Sequence, residues 1–215
     1  MTTAERLIRE TGIVSILRGF SASETRAVTE TLDRAGVRAV EVTANTPEFV
    51  PILDGLSSTY AGAELSIGAG TVLDRETAVT AVRAGAEFLV TPTFDAGVVE
   101  VGNACGVPTV VGVATPTEAL AAFEAGATMC KVFPATTLGP EFVSAVGGPL
   151  SQVPLVPTGG VNENNARAFF EAGAVALGIG SGLTPTQAVE AGDFEEISER
   201  ATALLELAEE YTTTR

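Results

Sequence analysis

The stretches EAGATMCKVF (residues 124–133) and EAGAVALGI (residues 171–179) share one joint: an apolar helical window closes on Ala-Gly and passes directly into a short β-prone run. A glycine there supplies the positive φ of a helix C-cap just ahead of a strand. Related joints fall at Gly36, Gly62, Gly85, Gly106, Gly126, Gly148 and Gly173, at intervals of 26, 23, 21, 20, 22 and 25 residues, the length of one helix plus one strand. Together with the opening GIVSIL (residues 12–17) they predict eight strands, near 13–17, 38–43, 65–69, 87–91, 108–112, 128–133, 154–158 and 175–179. Eight βα units point to an α/β fold, a closed (β/α)8 TIM barrel spanning residues 1–215 as one domain, although such barrels usually take about 250 residues. An open doubly wound sheet is the alternative. Its dinucleotide fingerprint needs a glycine-rich turn after the first strand and an acidic residue some way on, whereas the first turn here is LRGFSASE (residues 17–24). No linker, proline-rich spacer or charge block divides the chain.

Composition narrows the chemistry. The 215 residues carry 27 acidic and 12 basic side chains, a net charge of -15. That balance argues against nucleic acid or an anionic membrane as partner, and an acidic substrate has to be held by locally placed donors. The start lacks a basic segment leading into an apolar one, and no run of apolar residues is long enough to span a bilayer, so a cytoplasmic protein is expected. Cys105 and Cys130 sit in apolar surroundings and read as buried thiols of a reducing compartment. The absence of histidine excludes hydrolysis with a His base and zinc chemistry built on imidazole in their usual forms. Neither a metal nor a cofactor is expected.

Eleven of the twelve basic residues are arginine; the one lysine is Lys131. Acidic helices with almost no lysine resemble the cytosolic proteins of salt-accumulating archaea, which accounts for the missing lysines and not for the one that remains. Its strand alternates Met129, Lys131 and Phe133 on one side with Cys130 and Val132 on the other, so either face sets the ammonium among apolar groups. Burial without a partner lowers the pKa of an amine, and a neutral amine forms a Schiff base with a ketone or aldehyde. The alternative is a lysine that snorkels or pairs at the surface.

A barrel places its chemistry at the carboxyl ends of the strands. Those ends carry Arg18; Glu41 with Thr43 and Asn45; Gly70 and Thr71; Pro92; Lys131 and Phe133; Thr158, Gly159 and Gly160; and Gly180 and Ser181. Glu41 within AVEVTANTP (residues 39–47) is either a structural partner of Arg18 on the adjacent strand or the proton shuttle that an imine mechanism requires. VPTGGVNENNA (residues 156–166), with a helix capped by Asn162 or nearby, and LGIGSGLT (residues 177–184) place glycines and exposed amides after strands seven and eight, the usual phosphate site of a barrel.

The motifs ILRG (16–19), VEVT (40–43), GAGTV (68–72), TPT (91–93), KVFPA (131–135), PTGG (157–160) and IGSGL (179–183) occur in an order that resembles the 2-keto-3-deoxy-6-phosphogluconate aldolase family, which includes the phosphogalactonate and 4-hydroxy-2-oxoglutarate aldolases. The resemblance runs from about Gly12 to Thr184. It implies a class I aldolase with Lys131 as Schiff-base nucleophile and Glu41 as general acid/base. It also implies Arg18 and Thr71 near the pyruvyl carboxylate, and Gly159, Gly160 and Ser181 on the phosphate of a 2-keto-3-deoxy sugar acid. Phe133 and Pro92 would wall the site, and family members are typically homotrimers. One departure bears on the substrate. EVTANT has Asn45 where the gluconate type has arginine, as the galactonate type does, whereas Thr158 before the two glycines is gluconate-like and faces the C4 hydroxyl in that scheme. Another phosphate-binding barrel isomerase or synthase, a metal-dependent aldolase and a noncatalytic binding barrel stay open as alternatives.

Overall fold

The computed structural model describes residues 1–212. Eight parallel strands, β1 (Ile13–Leu17), β2 (Ala39–Thr43), β3 (Ser66–Gly70), β4 (Leu89–Val90), β5 (Thr109–Val113), β6 (Met129–Val132), β7 (Leu155–Pro157) and β8 (Leu177–Ile179), form one sheet in the order β7-β6-β5-β4-β3-β2-β1-β8. The sheet curls into a barrel. At the seam between β7 and β8 the only ladder contact is the parallel bridge Thr158↔Gly178, supported by the Val175 amide donating to the Leu155 carbonyl at 2.9 Å.

Helices follow the strands on the outside: α2 (Ala22–Ala35), α3 (Phe49–Thr59), α4 (Arg75–Arg83), α5 (Ala96–Cys105), α6 (Pro116–Glu124), α7 (Ala135–Gly147), α8 (Ala166–Glu171) and α9 (Thr186–Ala191), with α10 (Phe194–Thr212) packed back over α2 and α8. Their starts are coded locally. Ser21 and Glu24 form a reciprocal capping box on α2, and Asp74, Asp95 and Thr115 each accept an amide of the helix that they precede. α7 is broken at Gly139 (φ 80), ahead of Pro140. The first helix, α1 (Thr3–Thr11), buries Ala4 and Ile8 in the same cluster as the inward residues Val14, Ala39, Phe88, Val90, Val110, Met129, Val156 and Ala176, and so plugs the amino-terminal end of the barrel.

The expected joints hold with one exception. Gly36, Gly62, Gly85, Gly106, Gly126 and Gly173 have φ between 69° and 104°, but Gly148 is right-handed at -57° because the chain makes a further turn before β7. Two other expectations are corrected. Cys105 is exposed at the last turn of α5, whereas Cys130 is buried and its thiol is pushed up to about 12 by that burial. Nor does Asn162 cap α8: the helix starts after Asn165, whose side-chain oxygen accepts the Asn162 amide at 2.9 Å. No helix of the described residues is long and apolar enough to cross a membrane.

Candidate active site

Period-two alternation on each strand sorts the side chains. On β2, Val40 and Val42 face the helices and Glu41 faces the barrel interior; on β6, Cys130 and Val132 face the helices and Lys131 faces inward. Glycines make the room. A Cβ on Gly68 would meet the Phe88 ring at 2.4 Å, and one on Gly178 would meet Thr158 Oγ1 at 2.3 Å. Phe88 thereby forms the floor of the upper barrel, and Glu41 and Lys131 lie above it at the carboxyl ends of their strands.

Both charged groups are shut away from water, Glu41 at 1% exposure and Lys131 at 4%. Among the described residues they make no ion pair with each other or with Arg18, and Glu41 Oε1 has no hydrogen-bond partner. Burial holds the Glu41 carboxyl above its ordinary range, against the opposing pull of Lys131 and then Arg18. Burial lowers the Lys131 ammonium; Glu41 works against that shift and Arg18 adds to it. Lys131 Nζ lies 5.0 Å from the Phe133 ring centroid, a contact that favours the charged form, while desolvation exceeds the opposing pull of Glu41. The pair is therefore biased towards a neutral acid and a neutral amine, the two forms that an imine mechanism starts from.

The expected alternative of a structural Arg18–Glu41 ion pair is absent. Arg18 instead spans the mouth, its Nη1 donating to Asn45 Oδ1 and its Nη2 to Thr71 Oγ1, each at 3.3 Å. Thr71 reaches that position with a left-handed backbone, φ 57, which costs a β-branched residue about 1–3 kcal/mol. Such strain is found where the position of a side chain matters more than its comfort.

A cavity of about 160 Å³ opens between Arg18, Lys131, Phe133, Thr158 and the loops 159–161 and 180–182. Gly159 and Gly160 both have positive φ, at 99° and 75°, turning the backbone towards this space. The amides of Gly160, Val161, Ser181 and Gly182 donate to no acceptor among the described residues, so four unpaired donors lie in the loops that line this opening. Larger hollows exist at the opposite end of the barrel, near Arg9, Gly148 and Val175, where no buried charge is found.

The cavity thus gathers Arg18, Lys131, Phe133, Thr158, Gly159, Gly160, Gly180 and Ser181, with Glu41, Asn45, Gly70 and Thr71 behind Arg18 and Lys131. Two expected residues are not brought to it. The Thr43 hydroxyl bonds the Leu17 carbonyl at 3.4 Å and the Thr46 hydroxyl at 3.0 Å. Pro92 lays its carbonyl against Gly112, 2.2 Å from where a Cβ would stand. Ile16 and Val161 line the cavity without having been singled out, and Gly182 lies there with Gly180 and Ser181, as the LGIGSGLT loop suggested. Ile16 was within reach of the alternation rule, two residues before Arg18 on the inward face. No three His, Cys, Asp or Glu side chains of the described residues converge as a metal site would need.

The sequence pattern of the family described as "Aldolase: KDPG and KHG aldolase" matches residues 4–200. The chain belongs to that family. This aldolase is 34% identical to the 2-dehydro-3-deoxy-6-phosphogalactonate aldolase of Escherichia coli (strain K12), over 80% of its own length and 83% of the relative's. It is 37% identical to the 2-dehydro-3-deoxy-phosphogluconate aldolase of Treponema pallidum (strain Nichols), over 76% and 77%. Its fold matches the crystal structure of the KDPG aldolase of Legionella pneumophila with TM-score 0.85 and 26% identity, covering 94% of this aldolase and 98% of the other chain. That protein was captured with pyruvate as a covalent carbinolamine intermediate. Thiamine phosphate pyrophosphorylase of Pyrococcus furiosus, at 18% identity and TM-score 0.71, shares the fold alone.

Proposed function

We propose that this aldolase cleaves 2-keto-3-deoxy-6-phosphogluconate to pyruvate and D-glyceraldehyde 3-phosphate through a Schiff base on Lys131. The observation that carries the proposal is the chain's single lysine, buried inside the barrel with no ion pair among the described residues and its pKa lowered by that burial, beside a buried carboxyl whose pKa burial raises. The neutral Lys131 amine attacks the C2 ketone. Glu41 supplies the proton that leaves with the C2 oxygen as water, giving a protonated imine. The carboxylate then takes the C4 hydroxyl proton; the C3–C4 bond breaks, its electrons pass to the iminium as an enamine, and the aldehyde departs. Glu41 returns the proton to C3, and water hydrolyses the imine to pyruvate and free amine.

In this scheme the Arg18 guanidinium takes the substrate carboxylate and the four free amides take the 6-phosphate, a set of fixed donors that offsets the repulsion of a chain at -15. Thr158, held by Gly178, faces the C4 hydroxyl and favours the gluconate epimer. Asn45 favours the galactonate epimer as a second substrate, and a relative of each kind is at hand. A homotrimer in the cytoplasm is part of the same reading.

The test is borohydride reduction in the presence of pyruvate. A mass increase on Lys131 is expected, with turnover insensitive to EDTA, and an unmodified Lys131 would refute the proposal. Steady-state rates on the two phosphorylated epimers rank the substrates.

A further inference from the structure

Gly70 belongs to the GAGTV motif, and its backbone is not left-handed, so conformational freedom does not explain the absence of a side chain. Its surroundings do. A Cβ on Gly70 would stand 2.3 Å from Glu41 Oε1, 2.6 Å from Glu41 Cδ and 3.2 Å from Glu41 Cγ; its three nearest atoms all belong to that one side chain. Oε1 is also the oxygen that is buried without a partner. We infer that Gly70 is a positioning residue for the acid/base chemistry: the Glu41 carboxyl lies in the space where a side chain on the end of β3 would be, and is thereby kept out of the mouth.

The inference rests on the catalytic role proposed for Glu41. Below that space the route is closed, because Phe88 presses against Gly68, two residues earlier on β3, as closely as 2.4 Å from where its Cβ would be. A carboxyl displaced from Gly70 therefore moves up towards Arg18. There, among the described residues, the guanidinium donates only to the neutral oxygens of Asn45 and Thr71, at 3.3 Å each, and is open to a stronger acceptor. Any side chain at position 70 turns the isolated acid into the ion-paired carboxylate that the wild-type structure lacks. An ion-paired carboxylate gives up its proton at lower pH and is a poorer base. Gly70 thus separates a proton shuttle from an inert salt bridge that the neighbouring strands would otherwise form.

The test compares wild type, Gly70→Ala and the double variant Gly70→Ala/Glu41→Asp. The shorter aspartate has its carboxyl carbon where Glu41 Cγ now lies and its oxygens no farther out than about Glu41 Cδ, which vacates the closest contact, that of Oε1 at 2.3 Å. In Gly70→Ala, end-point trapping of pyruvate on Lys131 is expected to persist. Turnover and solvent-deuterium exchange into the pyruvate methyl group should fall about 10²-fold or more, with KM little changed and the acidic limb of the pH profile moved to lower pH. The double variant should regain about tenfold over the single one, a coupling that only neighbouring groups show. Wild-type turnover in Gly70→Ala, a loss confined to KM, or a double variant that is no better or fails to fold would overturn the inference, since shortening Glu41 removes the obstruction named. Failure of the wild type to trap pyruvate would instead refute the imine. The role of Gly70 would then be decided by whether Gly70→Ala abolishes the Glu41-dependent fall of melting temperature with rising pH.

Discussion

Replacing Glu41 by glutamine separates what this residue costs the fold from what it gives the reaction. In the folded chain burial raises the carboxyl pKa above the ordinary value of 4.5. The unfolded chain releases that proton near 4.5, whereas the folded chain keeps it. The stability contributed by this group is therefore full below 4.5 and is lost as the pH rises through the folded value. Two effects compete at neutrality. Leaving a buried polar group without a partner costs about 1–3 kcal/mol, and breaking a buried ion pair costs about 3–5 kcal/mol. The second does not apply, because Glu41 is in no ion pair and burial outweighs Lys131 among the influences on it. Glutamine, a permanent mimic of the protonated acid, should thus match wild type near pH 4.5 and gain on it towards neutrality. A gain of about 1–3 kcal/mol corresponds to a Tm higher by roughly 2–12 °C for a chain of this size. Turnover should fall by about 10² to 10⁴, the range for a positioned acid/base. Thermal melts at fixed ionic strength from pH 4.5 upward, with steady-state cleavage rates on the same preparations, measure both. A variant that melts lower than wild type at neutrality while keeping its turnover would return Glu41 to a structural role.

Lys131→Arg should abolish borohydride trapping and nearly all cleavage while the fold persists, since a guanidinium offers no neutral amine; retained cleavage in the purified variant would remove the imine. Gly160→Asp would confuse ligand loss with strain, because Gly160 is left-handed and its Cβ would meet Thr136 at 2.6 Å. Gly180→Asp is cleaner, the nearest atom to its Cβ being 3.8 Å away: kcat/KM should drop steeply on the phosphorylated substrate and little on 4-hydroxy-2-oxoglutarate, and equal losses would sink the amide cradle. With a net charge of -15, Tm should climb as added KCl shortens the screening length from about 10 Å at 0.1 M to about 3 Å at 1 M; a flat or falling curve would refute self-repulsion as a limit on stability.

The eight strands were legible because the glycine joint is a local device: a left-handed glycine stands between helix and strand at six of the seven joints, whatever surrounds it. Their lengths were less so. β4 contracts to Leu89–Val90 because the next residue, Thr91, turns its hydroxyl to the Gly112 amide and the Thr93 carbonyl, ending the ladder. Cys105 was misplaced because apolar neighbours in sequence do not say which way the last turn of a helix points. Glu41 and Lys131 stood out as charges among β-branched residues, a contrast visible without a structure. The hydrogen bonds that hold Arg18 were not visible, since its partners lie 27 and 53 residues away and one of them needs an unusual backbone. Gly70 was recognised as part of a motif, but the space it leaves is a property of β2 and β3 packed side by side.

The seam between β7 and β8 makes the phosphate loops part of the barrel's closure. These two strands meet through one bridge at Thr158↔Gly178, as β3 and β4 meet through the single pair Ala69↔Leu89, while the remaining neighbours are zipped by two or more pairs each. The loops that follow them present their free amides to the same cavity. An anion that takes both sets of amides becomes a rivet across a lightly tied stave joint of the barrel, so occupancy and wall integrity rise together. Inorganic phosphate alone should slow amide hydrogen exchange in residues 155–161 and 177–183 more than anywhere else, since local opening begins where the wall is lightly tied. Between turnovers the emptied enzyme has a lightly tied wall at the same place where the next substrate's phosphate must arrive.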